Sequence, residues 1–347
     1  MKKILTYIIA LFAIILLGFF IQTKSSVFYL EPVLRVEEVT VNTASNTQKI
    51  KGKLLNEKGT VTLETTYYEN ESVSPLYRKG NQLILQKSDN YWRVLALKRD
   101  GYVFILLGLF ILIVLFISGK KGLRSLIGLA LNSALLLFFL WFNQQNNGLS
   151  LMLLMSIYTV IAVFVAMGTS YGFKKLDGRK LFGTLVSVFL AFLICVIAMN
   201  LLKDEGLRYE EMQFITRPYR SVFLAGLLIG AIGASMDNVV TIISALDEIR
   251  AQNDQLSMKK LLQSGRKIAQ DTASSMINVL MFAYLSGAIP SVVFYMANGW
   301  NFSEVLGMHL SLEILRTLCG GFAIVLSVPA ALLAFSVAEK MKGRALR

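Results

Sequence analysis

The chain has 347 residues, of which 55% are apolar and only 16% are charged, whereas about 25% are charged in an ordinary soluble domain. This composition excludes an intrinsically disordered chain, argues against a soluble enzyme and indicates an integral membrane protein. The formal net charge of +13 would suggest a nucleic-acid ligand only if the basic residues were not explained by membrane topology. The two cysteines lie in apolar stretches and there is one histidine, so neither a disulfide framework, a metal site nor a cofactor is expected.

Eight apolar segments have the length of about 20 residues that a membrane-spanning helix needs. The first follows Lys2 and Lys3 and precedes Gln22-Thr23-Lys24 without a small-x-small cleavage site. We interpret residues 1–21 as an uncleaved transmembrane anchor, with a cleaved signal peptide as the alternative. The predicted segments are 4–21, 102–118, 125–142, 150–171, 181–202, 221–246, 273–297 and 306–335.

Residues 22–101 have a different pattern. Short alternating, β-branched runs begin near Lys49, Thr60, Gln82 and Tyr91, which predicts four or five strands. That number of strands in about 80 residues suggests a small β-rich barrel of the OB or SH3 type. Its tyrosines and tryptophan could form a nucleic-acid face, but an aromatic core is the simpler interpretation, and we expect no nucleic acid as a partner.

The basic residues predict the orientation of the chain. With the N-terminus inside, the inner pieces carry 18 Lys and Arg, and the short outer loops carry 4. The prediction is therefore an extracytoplasmic domain at 22–101, a seven-helix transmembrane domain at 102–335 and a basic cytoplasmic tail at 336–347. Both termini are cytoplasmic. On the inner side, residues 247–271 have an amphipathic pattern that predicts a helix broken near Ser264-Gly265.

The last three segments carry small and polar residues at steps of three and four, which places each set on one helix face. The glycines have a packing reason, because small residues let two helices approach closely within lipid. The sets are Gly226, Gly230, Gly233, Asp237, Thr241 and Ser244; Asp271, Ser275 and Asn278; and His309, Glu313, Arg316, Gly320, Ala323 and Ser327.

The ionisable residues in these stripes predict a functional site. A charge at the centre of a bilayer costs about 2.5–3.5 kcal/mol on insertion scales, so such residues pair or face the bundle interior. Counting residues from the segment ends puts Asp237 and Arg316 at matching depths near the midplane, with Asn278 shallower. We predict an ion or substrate site formed by Asp237, Asn278, Glu313 and Arg316; a purely architectural ion pair is the alternative.

Several stretches resemble the YibE/F family of bacterial membrane proteins, over roughly residues 100–335. The resemblance implies a multi-pass protein of the cytoplasmic membrane that is produced with a paralogous partner, and it supplies no substrate. The stretches that carry it are Gly230-Ala231-Ile232-Gly233-Ala234-Ser235-Met236-Asp237, Ser264-Gly265-Arg266-Lys267-Ile268-Ala269-Gln270-Asp271-Thr272, Asn278-Val279-Leu280-Met281-Phe282-Ala283-Tyr284 and Glu313-Ile314-Leu315-Arg316.

Two classes of function remain open. The first is a transporter or channel component with a polar site on the last three helices. The second is a sensor, scaffold or envelope-assembly factor that acts through the extracytoplasmic domain. No nucleophile–base pair, phosphate-binding loop or cofactor motif is present in the sequence, so an enzyme is not expected. The expected partners are the lipid bilayer and either a paralogous membrane protein or a second copy of the chain.

Overall fold

The computed structural model describes residues 2–68, 75–88, 91–146, 148–209, 212, 219–253 and 255–345. The chain divides into two compact units, Met1–Leu123 and Arg124–Arg347, and we describe each by itself. The first unit begins with helix α1 and a short 3-10 turn, continues with five strands, and ends within helix α2. Its elements are α1 (Lys2–Lys24), β1 (Val33–Asn42), β2 (Thr47–Leu54), β3 (Thr60–Thr66), β4 (Gln82–Ser88), β5 (Tyr91–Leu97) and the first part of α2 (Asp100–Gln145).

The five strands form one antiparallel sheet in the order β3-β2-β1-β4-β5. The order β4-β1-β2-β3 is that of a Greek key, and the two edge strands β3 and β5 lie close together. A partly open, five-stranded Greek-key barrel is the OB arrangement, so the topology favours the first of the two predicted barrel types.

The core of the sheet explains its strand pattern. Alternate residues of β2 are buried, and Ile50 packs in one core with Leu34 of β1 and with Leu83 and Leu85 of β4. Gly52 lies opposite a β-bulge in β1, where a Cβ atom would collide with the backbone of Arg35, so the strands can approach only at a glycine. Two of the aromatic residues of the domain contribute to its interior: Tyr67 is buried, and Trp92 packs against the core.

A buried lysine joins the sheet to the helices of the first unit. The side chain of Lys98 is fully buried, and its ammonium group donates a hydrogen bond to the backbone oxygen of Gln22 at 2.8 Å. Asp100 provides the counter-charge, with an N–O distance of 3.5 Å. A buried charge needs such partners, so Lys98 fixes the end of β5 against the end of α1. This contact was not predicted from the sequence.

Seven helices among the described residues are long and apolar enough to cross a membrane. One of them is α2, whose 46 residues correspond to about 69 Å, far more than a hydrocarbon core of about 30 Å. Gly119 interrupts α2 with φ 54° and ψ −131°, between the predicted segments 102–118 and 125–142. The interruption is compatible with two spans in α2, and the count of eight spans stays a prediction.

Among the residues that the structure describes, the second unit contains the rest of α2 and six further α-helices. Helices α4, α5 and α8 form its centre, where small residues allow close packing: Ala191, Ala225, Ala231 and Ala323 are all buried together. The helices are α3 (Leu151–Tyr171), α4 (Gly178–Leu201), α5 (Tyr219–Gln252), α6 (Met258–Ala297), α7 (Phe302–His309) and α8 (Ser311–Ala345).

Two predicted boundaries are wrong. The segment 306–335 is not one helix, because α7 ends at His309 and α8 begins at Ser311. In contrast, the predicted break near Ser264-Gly265 does not exist, since α6 runs continuously from Met258. Gly265 is there for packing: a Cβ atom would lie 2.7 Å from Leu246, so the glycine lets α6 approach α5.

The side chain of His309 lies outside the part of the chain that the structure describes.

Candidate functional site

The predicted stripe on α5 lies on one face, and that face is open except at Gly230, where Tyr284 of α6 lies close. Asp237 and Thr241 are exposed, whereas Asn238, Val239 and Ile242 on the other side of the helix are fully buried. A Cβ atom added at Gly233 would meet no atom within 4 Å, and the same holds at Gly226. The stripe therefore points away from the packed centre of the second unit, not into it as predicted.

Few polar contacts are made by the side chains on this open face. The Thr241 hydroxyl donates to the backbone oxygen of Asp237 at 2.8 Å, and Lys180 donates to the Ser244 hydroxyl at 2.8 Å. Among the residues that the structure describes, the Asp237 carboxylate has no ion-pair partner. An acid near the middle of a long apolar helix is thus left available to water, an ion or another molecule.

Arg316 is held by its own helix. It forms an ion pair with Glu313, one turn away on α8, and its guanidinium carbon lies 5.3 Å from the ring centre of Phe223 on α5. Its other nitrogen approaches the sulfur of Met212 at 4.0 Å. The ion-pair partner of Arg316 is therefore Glu313 of the same helix.

Asp237 and Arg316 are not at the same depth. Helices α5 and α8 run in the same direction, because Phe223 lies beside Arg316 and Asn238 bonds to Ser327. Asp237 therefore lies 14 residues, or about 21 Å, further along α5 than the level of Arg316. The prediction of matching depth was wrong because the break at Leu310 places Arg316 only five residues after the start of α8.

The remaining predicted residues have separate environments. Asn278 is exposed on α6 and forms no part of the Glu313–Arg316 pair. A side chain at Gly320 would collide with Leu280 of α6, and one at Gly230 would collide with the Tyr284 hydroxyl, so both glycines lie at helix contacts. Of the four residues predicted as one site, Glu313 and Arg316 are paired, and Asp237 and Asn278 are not in contact with that pair.

A buried polar cluster that sequence reasoning missed joins α5, α6 and α8. Asn238 donates to the Ser327 hydroxyl at 2.7 Å and to the backbone oxygen of Ile324 at 3.2 Å, and it accepts from the Thr272 hydroxyl at 3.0 Å. This cluster joins the last three long helices, but it is uncharged, and Ser327 is its one member that belongs to a predicted stripe. The spacing of the buried positions Ala231, Ser235, Asn238 and Ile242 was the available signal.

A second hydrogen bond of the same kind links α4 to α5. Ser187 and Ser235 are both fully buried, and their hydroxyl groups bond to each other. Hydrogen bonds between hydroxyl and amide side chains are the usual polar contacts between helices in a membrane. Together with the Asn238 cluster, this contact ties four helices into one bundle without burying a charge.

A charged cluster joins the start of α4 to the last turns of α5. Both terminal nitrogens of Arg179 lie 2.8 Å from the Asp247 oxygens, and one also bonds to Asp177 at 2.7 Å. Asp177 caps α4, because its side chain accepts from the backbone N–H of Arg179. Burial alone would raise the pKa of the Asp177 carboxyl, but the hydrogen bonds and the charge of Arg179 outweigh it and lower that pKa.

The family described as YibE/F-like protein matches residues 106–340, which is more than half of the chain. The chain belongs to the YibE/F-like family. This confirms the resemblance seen in the sequence, and with the long apolar helices it indicates a membrane protein. The comparison with curated proteins and the comparison with solved structures found no match.

The matched region of this YibE/F-like protein begins within α2 and ends within α8, so it contains both Asp237 and the Asn238 cluster. The five-stranded sheet precedes it. Among the described residues there is no group of three or more His, Cys, Asp or Glu that could hold a metal ion. The open face of α5 is therefore the candidate site that the geometry favours.

Proposed function

We propose that this YibE/F-like protein is a transporter or channel component of the bacterial cytoplasmic membrane rather than an enzyme. The observation that carries the proposal is the open α5 face with Asp237 near its centre. Asp237 lies 18 residues after the start of α5 and 15 before its end, or about 27 Å and 22 Å along the axis. If α5 crosses the membrane, this carboxylate is far from both surfaces.

The free-energy cost of placing the Asp237 carboxylate in lipid supports a water-filled path beside α5. A carboxylate facing lipid at this depth costs about 2.5–3.5 kcal/mol, and long side chains that reach the surface are not available to aspartate. Water or a partner protein must therefore cover the face. Gly233 and Thr241, one turn before and after Asp237, leave space and offer a hydroxyl. A cation or a proton is the substrate class that an unpaired carboxylate would attract.

The membrane arrangement belongs to the same proposal. We place residues 22–101 outside the cell, count α2 as two spans separated at Gly119, and keep both termini in the cytoplasm. The 18-to-4 excess of Lys and Arg on the inner side supports this orientation. A paralogous protein of the family, or a second copy of the chain, is the partner that would complete the path beside α5.

A flux measurement tests the proposal. The purified protein in liposomes should carry a cation or proton current, and Asp237→Asn should reduce that current by at least about tenfold, as expected when an interaction of about 1.4 kcal/mol is lost at the rate-limiting step. Glu248→Gln is the matched control, because it neutralises an exposed acid three turns further along α5 and should leave the flux unchanged. Full flux in Asp237→Asn would refute the proposed site.

The alternative is a non-transport role through the sheet domain. It is favoured by the fact that this domain has its own apolar core, formed by residues of all five strands. The two functions predict opposite sensitivities. If Asp237→Asn is tolerated in cells while removal of the sheet abolishes the phenotype of the gene, a scaffold or sensor is the better account.

A further inference from the structure

A groove between α6 and α8 has a cavity volume of about 530 Å³, with an apolar α8 wall and an α6 wall that carries a row of polar residues beside Ala269, Ala273 and Ile277. The polar row on α6 consists of Arg266, Gln270 and Ser274, which follow one another at intervals of one turn. The apolar wall comes mainly from α8, with Val328, Pro329 and Leu332. A ligand that fits here must itself be polar on one side or at one end.

The groove has a charged end and an apolar end. Helices α6 and α8 are antiparallel, because Gly265 lies against Leu332 and Gly320 lies against Leu280. The groove therefore runs from Arg266 to the level of Ile277, which is 11 residues or about 16 Å along α6. Arg266 lies on the side of α6 that is predicted to be cytoplasmic, with the exposed Lys259, Lys260 and Lys267 nearby in sequence.

We propose that this groove binds an anionic phospholipid, with one acyl chain along the α8 wall and the phosphate on Arg266. The proposal rests on the membrane placement given above. Arg266 is exposed and has no ion-pair partner among the described residues, so its guanidinium is available. Guanidinium groups bind phosphate through paired hydrogen bonds, and basic pockets on the cytoplasmic side of helix bundles bind anionic head groups.

The size of the groove argues against a partner helix. One turn of helix is about 10 Å across and 5.4 Å long, so about 530 Å³ holds little more than a single turn. A flexible alkyl chain can occupy a channel of this length without a large cross-section. The charge at one end and the apolar wall along the rest match the two parts of a phospholipid.

Lipid retention by the full-length protein in detergent tests the head-group contact. We expect the protein to retain phosphatidylglycerol in preference to phosphatidylcholine in native mass spectra. Arg266→Gln should weaken phosphatidylglycerol retention by at least about tenfold, since one charge-assisted contact is lost. Lys267→Gln is the matched control, because this neighbouring exposed cation does not line the groove, and it should change retention less than twofold. Equal retention by Arg266→Gln and the parent protein would overturn the proposal.

A second pair of variants tests the acyl-chain path. Ser274→Phe fills the groove and should reduce retention, whereas Ser275→Phe adds the same ring at an exposed position that does not line it. Equal retention in both variants, or equal retention of the two lipids by the parent protein, would show annular lipid only and overturn the proposal. Retention does not depend on flux, and labelling at residue 57 (below) tests membrane placement separately. Thermal unfolding of each variant shows whether it is folded.

Discussion

Asn238 is the residue whose contacts most clearly stabilise the helix bundle. It is fully buried, and its amide reaches α6 and α8 at once. Asn238→Ala should lower the free energy of unfolding by about 1–3 kcal/mol, because it leaves the Ser327 and Thr272 hydroxyls with fewer partners and opens a small cavity. Thermal unfolding in detergent measures this loss.

Asn278 is the matched control for that substitution. It is the same residue type on a neighbouring long helix, but it is exposed. Asn278→Ala should change the unfolding temperature little, since surface substitutions usually stay within about 0.5 kcal/mol. If both variants unfolded at the same temperature, the buried amide network would not have the role that we assign to it.

The ionised Asp177 carboxylate at the start of α4 contributes to the stability of the fold, and this contribution is lost in acid. Its pKa is lowered in the folded protein, so the carboxylate stabilises the fold above its unfolded pKa of about 3.9, and the contribution is lost as the pH falls through the lower folded value. Asp177→Asn should therefore unfold at a lower temperature near neutral pH, and the difference from the parent protein should shrink below about pH 4. A difference that is constant from pH 7 to pH 3 would contradict the paired carboxylate.

The sequence could predict which residues of α5 share a face but not where that face points. The exposed stripe with Gly233 and Asp237 and the buried stripe with Ser235 and Asn238 contain the same kinds of small and polar residues. Hydrophobic contrast normally identifies the buried face of a helix, and here the contrast is weak. Only the packing of α6 and α8 against Asn238 distinguishes the two sides.

At the scale of helices, the two cysteines of the chain can be used to test the packing of α4 against α8. Cys195 of α4 and Cys319 of α8 are 124 positions apart, yet they are buried as neighbours in one apolar cluster with Phe223. A short bifunctional thiol reagent that partitions into membranes should link them within one chain, and mass spectrometry should detect the joined peptides. Links only between chains, or none, would contradict the α4–α8 contact. Cys319→Ser, which cannot form the link, provides the blank.

Helix existence was predictable, but helix ends were less so. Long apolar runs identified the helices. A segment that faces lipid must be apolar, and it must form its backbone hydrogen bonds within itself, as a helix does. The break between α7 and α8 falls at Leu310, inside the predicted apolar segment 306–335, whereas Gly265 looks like a break and is a packing position. The error at Gly265 has a clear cause: glycine can end a helix or bring two helices together, and local sequence does not separate these uses.

For the whole molecule, the orientation in the membrane has a direct test. In a background with Cys195 and Cys319 replaced by alanine, Glu57→Cys in the turn between β2 and β3 should react with a membrane-impermeant maleimide in intact cells. Lys259→Cys, near the start of α6, should react only after the membrane is opened. Both residues are exposed, so access depends on the side of the membrane alone. Protection of residue 57 in intact cells would reverse the proposed placement.

The central claim is that the Asp237 face of α5 is in contact with water inside the membrane. Cysteine scanning along α5 with a small, hydrophilic thiol reagent tests it most directly, in the same cysteine-free background. We predict that cysteines at positions Gly233, Asp237 and Thr241 react and that cysteines at Val239 and Ile242 do not. Reactive positions should then recur once per helical turn, along one face of α5. If Gly233, Asp237 and Thr241 react only after solubilisation in detergent, water does not reach this face in the membrane, and the transport site proposed here is wrong.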